Sequence, residues 1–141
     1  MDKRALEDRW ILVVEDEFLI ASDIVEAIRQ LGGSVMGPCS DAAKAREVLS
    51  KRGMPPDGAV LDLNLKGKSV ADLAHELAEM GVALLYHTGY DTSVEQEGLP
   101  PGEMTMKPMS RAELMQRLAA RIDHARQRPA QIRPRESMTG R

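Results

Sequence analysis

The stretch AVLDLNL, residues 59–65, decides the fold of this 141-residue chain. Three apolar residues run into a single aspartate, Asp62, and the turn-forming Lys66-Gly67-Lys68 follows. A short apolar run bounded by turn signals predicts a buried strand, here Gly58 to Leu61. Because an isolated charge is costly to bury, we expect the Asp62 carboxylate at the mouth of this strand, facing solvent, a metal ion or both.

The composition predicts one folded domain with a substantial aliphatic core. Hydrophobic residues make up 43% of the chain and aromatic residues only 3%. No apolar run approaches the 18 or so residues of a membrane span. The first nine residues are charged and lack the apolar centre of a signal peptide. The only cysteine, Cys39, fits a reducing compartment, so we expect a cytoplasmic protein.

The charge is unevenly distributed along the sequence. The net charge of −3 is the balance of +4 from Arg126 onward and −7 before it. An acidic body disfavours sequence-specific binding of nucleic acid by the folded part. The basic end has no hydrophobic periodicity, and we expect residues 127–141 to form a disordered tail.

Apolar runs alternate with segments of helical periodicity along the chain. Strands are predicted at Trp10–Val14, Ser34–Met36, Gly58–Leu61, Val82–Tyr86 and Glu103–Met106. Helices are predicted from Ile20 to Leu31, from the Asp41 cap to Arg52, from the Ser69 cap to Gly81, from Asp91 to Gly98, and from the Ser110–Glu113 capping box to Ala125. Gly37-Pro38 is expected to end the second strand.

Five successive βα units predict a parallel sheet with helices on both faces. In such folds the ligand site lies outside the carboxyl ends of the strands. The residues that reach this edge are Glu15-Asp16 after the first strand, Asp62 after the third, Thr88 after the fourth and Lys107 after the fifth.

Three carboxylates that converge on one point repel one another unless a cation lies among them. An all-oxygen ligand set suits Mg²⁺. With a hydroxyl from Thr88 and a positive charge from Lys107, the set predicts a phosphoryl-transfer pocket in which Asp62 is the best candidate nucleophile.

In their order and approximate spacing, Glu15-Asp16, Asp62, Thr88 and Lys107-Pro108 resemble a response-regulator receiver domain of two-component signalling. The resemblance covers about Trp10 to Arg126, which leaves residues 1–9 as an N-terminal extension. It implies a flavodoxin-like, doubly wound (βα)5 fold whose five parallel strands have the order 2-1-3-4-5.

The resemblance also implies roles for the acidic residues. Asp62 would take a phosphoryl group from a phosphohistidine on a sensor histidine kinase. Asp16 and Asp62 would bind Mg²⁺ through their side chains, Asn64 through its backbone carbonyl, and Glu15 through a metal-bound water. Lys107 would contact the phosphoryl group.

Thr88 would move onto the phosphoryl group and act as a switch residue. Receiver domains usually have an aromatic switch residue three positions before the lysine, where this chain has Met104. The segment Tyr86–Tyr90 resembles the Phe-Ala-Thr-Gly-Tyr motif of a subgroup of stand-alone alphaproteobacterial receivers. We therefore expect Tyr90 to replace the missing aromatic residue. His87 is expected to be a pocket-rim residue or a partly exposed one, rather than a ligand.

The function implied is that of a single-domain response regulator, a phosphoprotein that catalyses only its own phosphorylation and dephosphorylation. Phosphorylation would switch a protein-interaction face, or the protein would serve as a phosphate sink or relay. The expected partners are a kinase, a downstream or phosphotransfer protein and a second copy in a homodimer, with no DNA-binding domain and no membrane.

Two alternatives remain open. One is a protein-binding module that keeps the fold but never uses phosphate. The other is a phosphatase with an aspartate nucleophile. The phosphatase is disfavoured because Asn64 stands where such enzymes have a second aspartate.

Overall fold

The computed structural model describes residues 2–65, 68–89 and 98–127. Within these ranges the strands are β1 (Trp10–Val14), β2 (Ser34–Cys39), β3 (Gly58–Leu61), β4 (Asn64–Leu65), β5 (Lys68–Ser69), β6 (Ala83–Thr88) and β7 (Glu103–Met106). The helices are α1 (Phe18–Gln30), α2 (Ala42–Arg52), α3 (Ala71–Glu79) and α4 (Arg111–Arg126). Each of these helices is too short or too polar to cross a bilayer.

Five of the strands form one parallel sheet in the order β2-β1-β3-β6-β7. Counted within this sheet alone, the order is 2-1-3-4-5, and the predicted fold class is confirmed. Directly after Asp62, β4 and β5 form a separate antiparallel pair that the sequence did not predict.

The sheet separates two aliphatic cores. Helices α2 and α3 cover one face, and α1 and α4 cover the other. Leu6, from the segment before β1, is fully buried in the α1/α4 core, and its N–H donates to the carbonyl of Leu31 at 3.0 Å. The N-terminal extension therefore contributes a side chain to the domain.

Strand β6 is longer than its predicted bounds of Val82 to Tyr86, since it runs to Thr88 and is buried throughout. Its side chains alternate between the two cores, with Leu84 and Tyr86 on the α2/α3 side and Leu85 on the α1/α4 side. This alternation places His87 and Thr88 on opposite faces of the sheet.

The prediction that Gly37-Pro38 ends the second strand is wrong, because β2 continues to Cys39. Proline lacks a backbone donor, which an edge strand such as β2 tolerates. Gly37 has a φ of 100°, and a Cβ there would lie 2.8 Å from the Cys39 nitrogen. The register with β1 shifts between Leu12 and Val14, which accommodates this bend.

Two of the three predicted helix caps are confirmed. The Asp41 carboxylate accepts from the Lys44 N–H at 2.8 Å, and the Ser110 hydroxyl accepts from the Glu113 N–H at 3.0 Å. The residue at the cap position of α3 is Val70 rather than Ser69, but the Ser69 hydroxyl still accepts from the Ala71 N–H at 3.0 Å. The predicted helix from Asp91 falls, except for its last residue, outside the described residues, as does the tail beyond residue 127.

Candidate functional site

Three carboxylates converge at the carboxyl edge of the sheet. Glu15 and Asp16 follow β1, and Asp62 follows β3, which pairs with β1 through Val14 and Leu61. One carboxylate oxygen from each acid lies within 4.8 Å of the others. This spacing could hold a metal ion, and the three acids are those identified from the sequence.

Lys107 brings a positive charge into this cluster. Its Nζ lies 2.9 Å from Glu15 Oε1 and 3.4 Å from Asp62 Oδ2. The backbone N–H of Lys107 donates to the Thr88 carbonyl at 2.6 Å, which fixes the residue at the end of β7. Burial alone would lower the pKa of Lys107, but the hydrogen bond and charge of Glu15, together with Asp62, raise it overall. The lysine is therefore fully charged at neutral pH.

Backbone amides orient the Asp62 carboxylate. The Asp62 N–H donates to the Val14 carbonyl at 2.9 Å, which continues the β1–β3 pairing to the site. The Asn64 N–H then donates to Asp62 Oδ1 at 3.1 Å. Since Oδ1 is held in this way, Oδ2 is the oxygen that faces Lys107. The side chain is only 6% exposed, so it is directed rather than freely rotating.

The Glu15 side chain is buried. Its Oε2 accepts from the Glu17 N–H at 3.0 Å, and its Oε1 accepts from Lys107. Burial raises the pKa of Glu15, the charge of Asp62 adds to the rise, and the contacts with Lys107 and Glu17 only partly offset it. The folded protein thus disfavours the charge on Glu15 when no cation is added.

This shift predicts a pH-dependent contribution to stability. A carboxylate whose pKa is raised on folding stabilises the fold below its unfolded pKa of about 4.3, and this stabilisation is lost as pH rises through the folded value. In EDTA, the unfolding free energy of the wild type relative to Glu15→Gln should therefore fall as pH rises from about 4. Urea denaturation across a pH series measures the difference. The exposed Glu26→Gln is the control and should track the wild type, whereas a Glu15→Gln curve parallel to the wild type would contradict the prediction.

Thr88 ends β6, and its side chain is fully buried. Its Oγ1 is the only buried side-chain polar atom in the described part of the chain without a hydrogen-bond partner. A buried hydroxyl without a partner costs about 1–3 kcal/mol, so such groups call for an explanation. At this edge, a ligand oxygen would supply the missing acceptor.

His87 is buried, at 5% exposure, so the alternative of a partly exposed residue is wrong. The difference follows from the extra length of β6, which carries His87 inside the sheet. Its Nδ1 lies 2.8 Å from Thr105 Oγ1. Burial, followed by the charge of Lys107, lowers the pKa of His87 to about 4, so the ring is neutral at pH 7.

The remaining predicted residues lie as follows. Asn64 begins β4, directly after the acidic cluster. Met104, in the place of the usual aromatic residue, is half-buried against the α2/α3 core. Tyr90, the predicted switch residue, lies outside the described residues.

No family model matches the chain. The transcriptional regulatory protein PdtaR of Mycobacterium tuberculosis is 30% identical over 82 residues, which cover 58% of this chain and 39% of that protein. The aerobic respiration control protein ArcA of Escherichia coli K12 is 34% identical over 87 residues, which cover 61% of this chain and 35% of that protein. The chain thus matches less than half the length of these curated relatives.

Solved structures share the fold over most of the chain. The crystal structure of a response regulator receiver protein from Sinorhizobium medicae superposes with a TM-score of 0.72 at 23% identity. The match covers 83% of this chain and 96% of that one. At this identity the likeness establishes the fold alone.

Proposed function

We propose that this chain, which has the fold of response regulator receiver domains, is a signalling switch whose phosphoryl acceptor is Asp62. The observation that carries the proposal is the placement of the Asp62 carboxylate. It lies at the carboxyl edge of the sheet, 3.4 Å from the Lys107 ammonium and next to the acidic pair Glu15-Asp16. A directed carboxylate beside a fixed cation is the arrangement that a phosphoryl acceptor requires.

The ligand atoms fit Mg²⁺. Glu15, Asp16 and Asp62 offer only oxygen, which hard cations prefer, and the Asn64 backbone carbonyl is a further candidate ligand. These three carboxylates share the single ammonium group of Lys107, which contacts Glu15 and Asp62. When bound, Mg²⁺ would supply positive charge to screen the carboxylates and the phosphoryl oxygens.

Asp62, Lys107 and Thr88 then have different roles in phosphoryl transfer. An Asp62 oxygen attacks the phosphorus of a phosphohistidine, forming an acyl phosphate while the P–N bond to the histidine breaks. Lys107 offsets the charge of the phosphoryl group. The Thr88 hydroxyl, which is buried without a partner, donates to a phosphoryl oxygen and is satisfied only in the phosphorylated state.

The donor in this scheme is a sensor histidine kinase, and the setting is the cytoplasm. Phosphorylation adds negative charge and acceptor oxygens at one edge of the sheet, which draws Thr88 and Lys107 towards Asp62. The phosphorylated surface would be read by a downstream protein or a second copy of the chain. Alternatively, the group would pass to a phosphotransfer partner, with the chain as a sink or relay. The chain would turn over no other substrate.

Intact-mass spectrometry after incubation with acetyl phosphate tests the proposal. With Mg²⁺, we expect the wild-type chain to gain the mass of a single phosphoryl group. With EDTA in place of Mg²⁺, the gain should be lost, because the clustered carboxylates then repel the incoming phosphate. A chain that binds Mg²⁺ but gains no mass from acetyl phosphate or from candidate kinases would favour a phosphate-independent binding module.

A further inference from the structure

A cavity of about 230 Å³ lies between α1, the end of β6 and the start of α4. It is on the sheet face opposite Thr88 and outside the cluster of carboxylates. Its walls are mainly apolar, and the side chains that line it include Ile20, Ile24, Ala27, Met109 and Leu114. His87 and the Lys107 side chain also line it.

His87 presents a hydrogen-bond acceptor in this cavity. The Thr105 hydroxyl uses its single proton to donate to the Tyr86 carbonyl at 2.9 Å. It must therefore accept from His87, so Nδ1 carries the proton of the neutral ring. The other ring nitrogen, Nε2, is then an acceptor. It has no partner among the residues that the structure describes, yet it is not sealed from solvent. Because the His87 ring lines the cavity, Nε2 faces the cavity.

The charged groups around the cavity are already paired. Lys107 contacts Glu15 and Asp62, which belong to the cluster of carboxylates and not to the cavity wall. At the rim, Asp23 of α1 forms an ion pair with Arg111 of α4, and these two side chains are 62% and 41% exposed. A charged ligand would have to displace one of these carboxylates or cations. An uncharged ligand has no such competitor, and an exposed ion pair at the rim is too weak to prevent its entry.

The geometry points to a binding site for a small uncharged aromatic molecule that carries one O–H or N–H donor, with the donor on His87 Nε2. Pockets for drug-sized ligands occupy about 300–1,000 Å³, so this smaller cavity fits a single substituted ring. Apolar walls with one polar group that fixes orientation are typical of such sites. The site borders the phosphoryl-transfer edge through Lys107 but requires neither phosphate nor metal.

Phenol and toluene are matched probes for this site, since they have the same shape and differ by a hydroxyl for a methyl group. An apolar cavity without an acceptor favours toluene, because phenol would have to leave its hydrogen bond with water unreplaced. In an NMR titration of the full chain, we expect saturable amide shifts confined to α1, β6 and the start of α4. Phenol should bind about fivefold more tightly than toluene, as expected for one net hydrogen bond.

Three variants decide the result. His87→Phe keeps the ring and removes the acceptor, and it should reverse the preference so that toluene binds more tightly. Ala27→Leu fills the cavity and should abolish saturable binding of both probes. His124→Phe, at an exposed position of α4, is the matched control and should bind as the wild type does.

Two results would overturn the inference. One is the absence of saturable shifts with either probe in the wild type. The other is a phenol-to-toluene ratio in the wild type that does not exceed one. If His87→Phe does not give a native amide spectrum, Ala27→Leu and the wild-type ratio still decide, and unchanged binding in Ala27→Leu would place the ligand elsewhere and reject the site.

Discussion

Replacing Asp62 with Asn is expected to abolish phosphorylation of the chain by acetyl phosphate and Mg²⁺. The substitution removes the nucleophilic carboxylate but keeps an oxygen that can accept from the Asn64 N–H, so the local backbone should survive. The neighbouring Glu15 is a poor substitute, because Lys107 and the Glu17 N–H already hold both of its oxygens. Intact-mass spectrometry should show no phosphoryl group on the variant under conditions that label the wild type.

Asp123→Asn is the matched control. Asp123 is exposed on α4, and its substitution changes the charge by the same amount as Asp62→Asn does. It should be phosphorylated as the wild type is. Retention of the added mass in Asp62→Asn would show that another carboxylate is the acceptor. That result would refute the proposed role of Asp62 without affecting the fold.

Replacing Thr88 with Val should stabilise the unphosphorylated protein. Valine has nearly the shape of threonine, and the Thr88 hydroxyl is buried without a hydrogen-bond partner in the described structure. Removing a buried polar group that makes no hydrogen bond recovers its desolvation penalty, about 1–3 kcal/mol in protein mutational data. Urea denaturation in EDTA should show a higher unfolding free energy for the variant.

Thr105→Val provides the matched comparison and should have the opposite sign. Thr105 is 2% exposed on the neighbouring strand, but its hydroxyl bonds both His87 and the Tyr86 carbonyl. Its removal leaves buried partners unsatisfied and should lower the unfolding free energy by about 1–3 kcal/mol. Equal effects from the two substitutions would mean that the Thr88 hydroxyl is satisfied in solution. Its proposed role as a waiting donor would then fail.

The pattern of apolar and polar residues is enough to predict the sheet and the edge at which the site lies. Runs such as Trp10–Val14 and Gly58–Leu61 separated by helical segments favour a parallel arrangement, and parallel strands put their carboxyl ends together. That constraint is enough to bring Asp16, Asp62 and Lys107 to one edge without any knowledge of packing.

Which of these residues pair with one another depends on the packing of the folded chain. The order of residues does not say that Lys107 lies closer to Glu15 than to Asp62, because that depends on how far the lysine reaches across β6 and β3. Likewise, Thr88 and Thr105 look alike in the sequence, and only the positions of neighbouring atoms leave one hydroxyl unpaired and the other bonded twice.

The burial of His87 is another feature that depends on tertiary contacts. The predicted strand stopped at Tyr86 because its apolar run stops there, whereas pairing with β7 alone, through Thr105 and Met106, extends β6 to Thr88. The local sequence pattern therefore determines which segments form strands and which acidic residues lie at the same edge of the sheet. Contacts between residues far apart in the chain set the ends of strands, the partner of each charge and the cavity beside His87, because those depend on distances that a linear pattern does not encode.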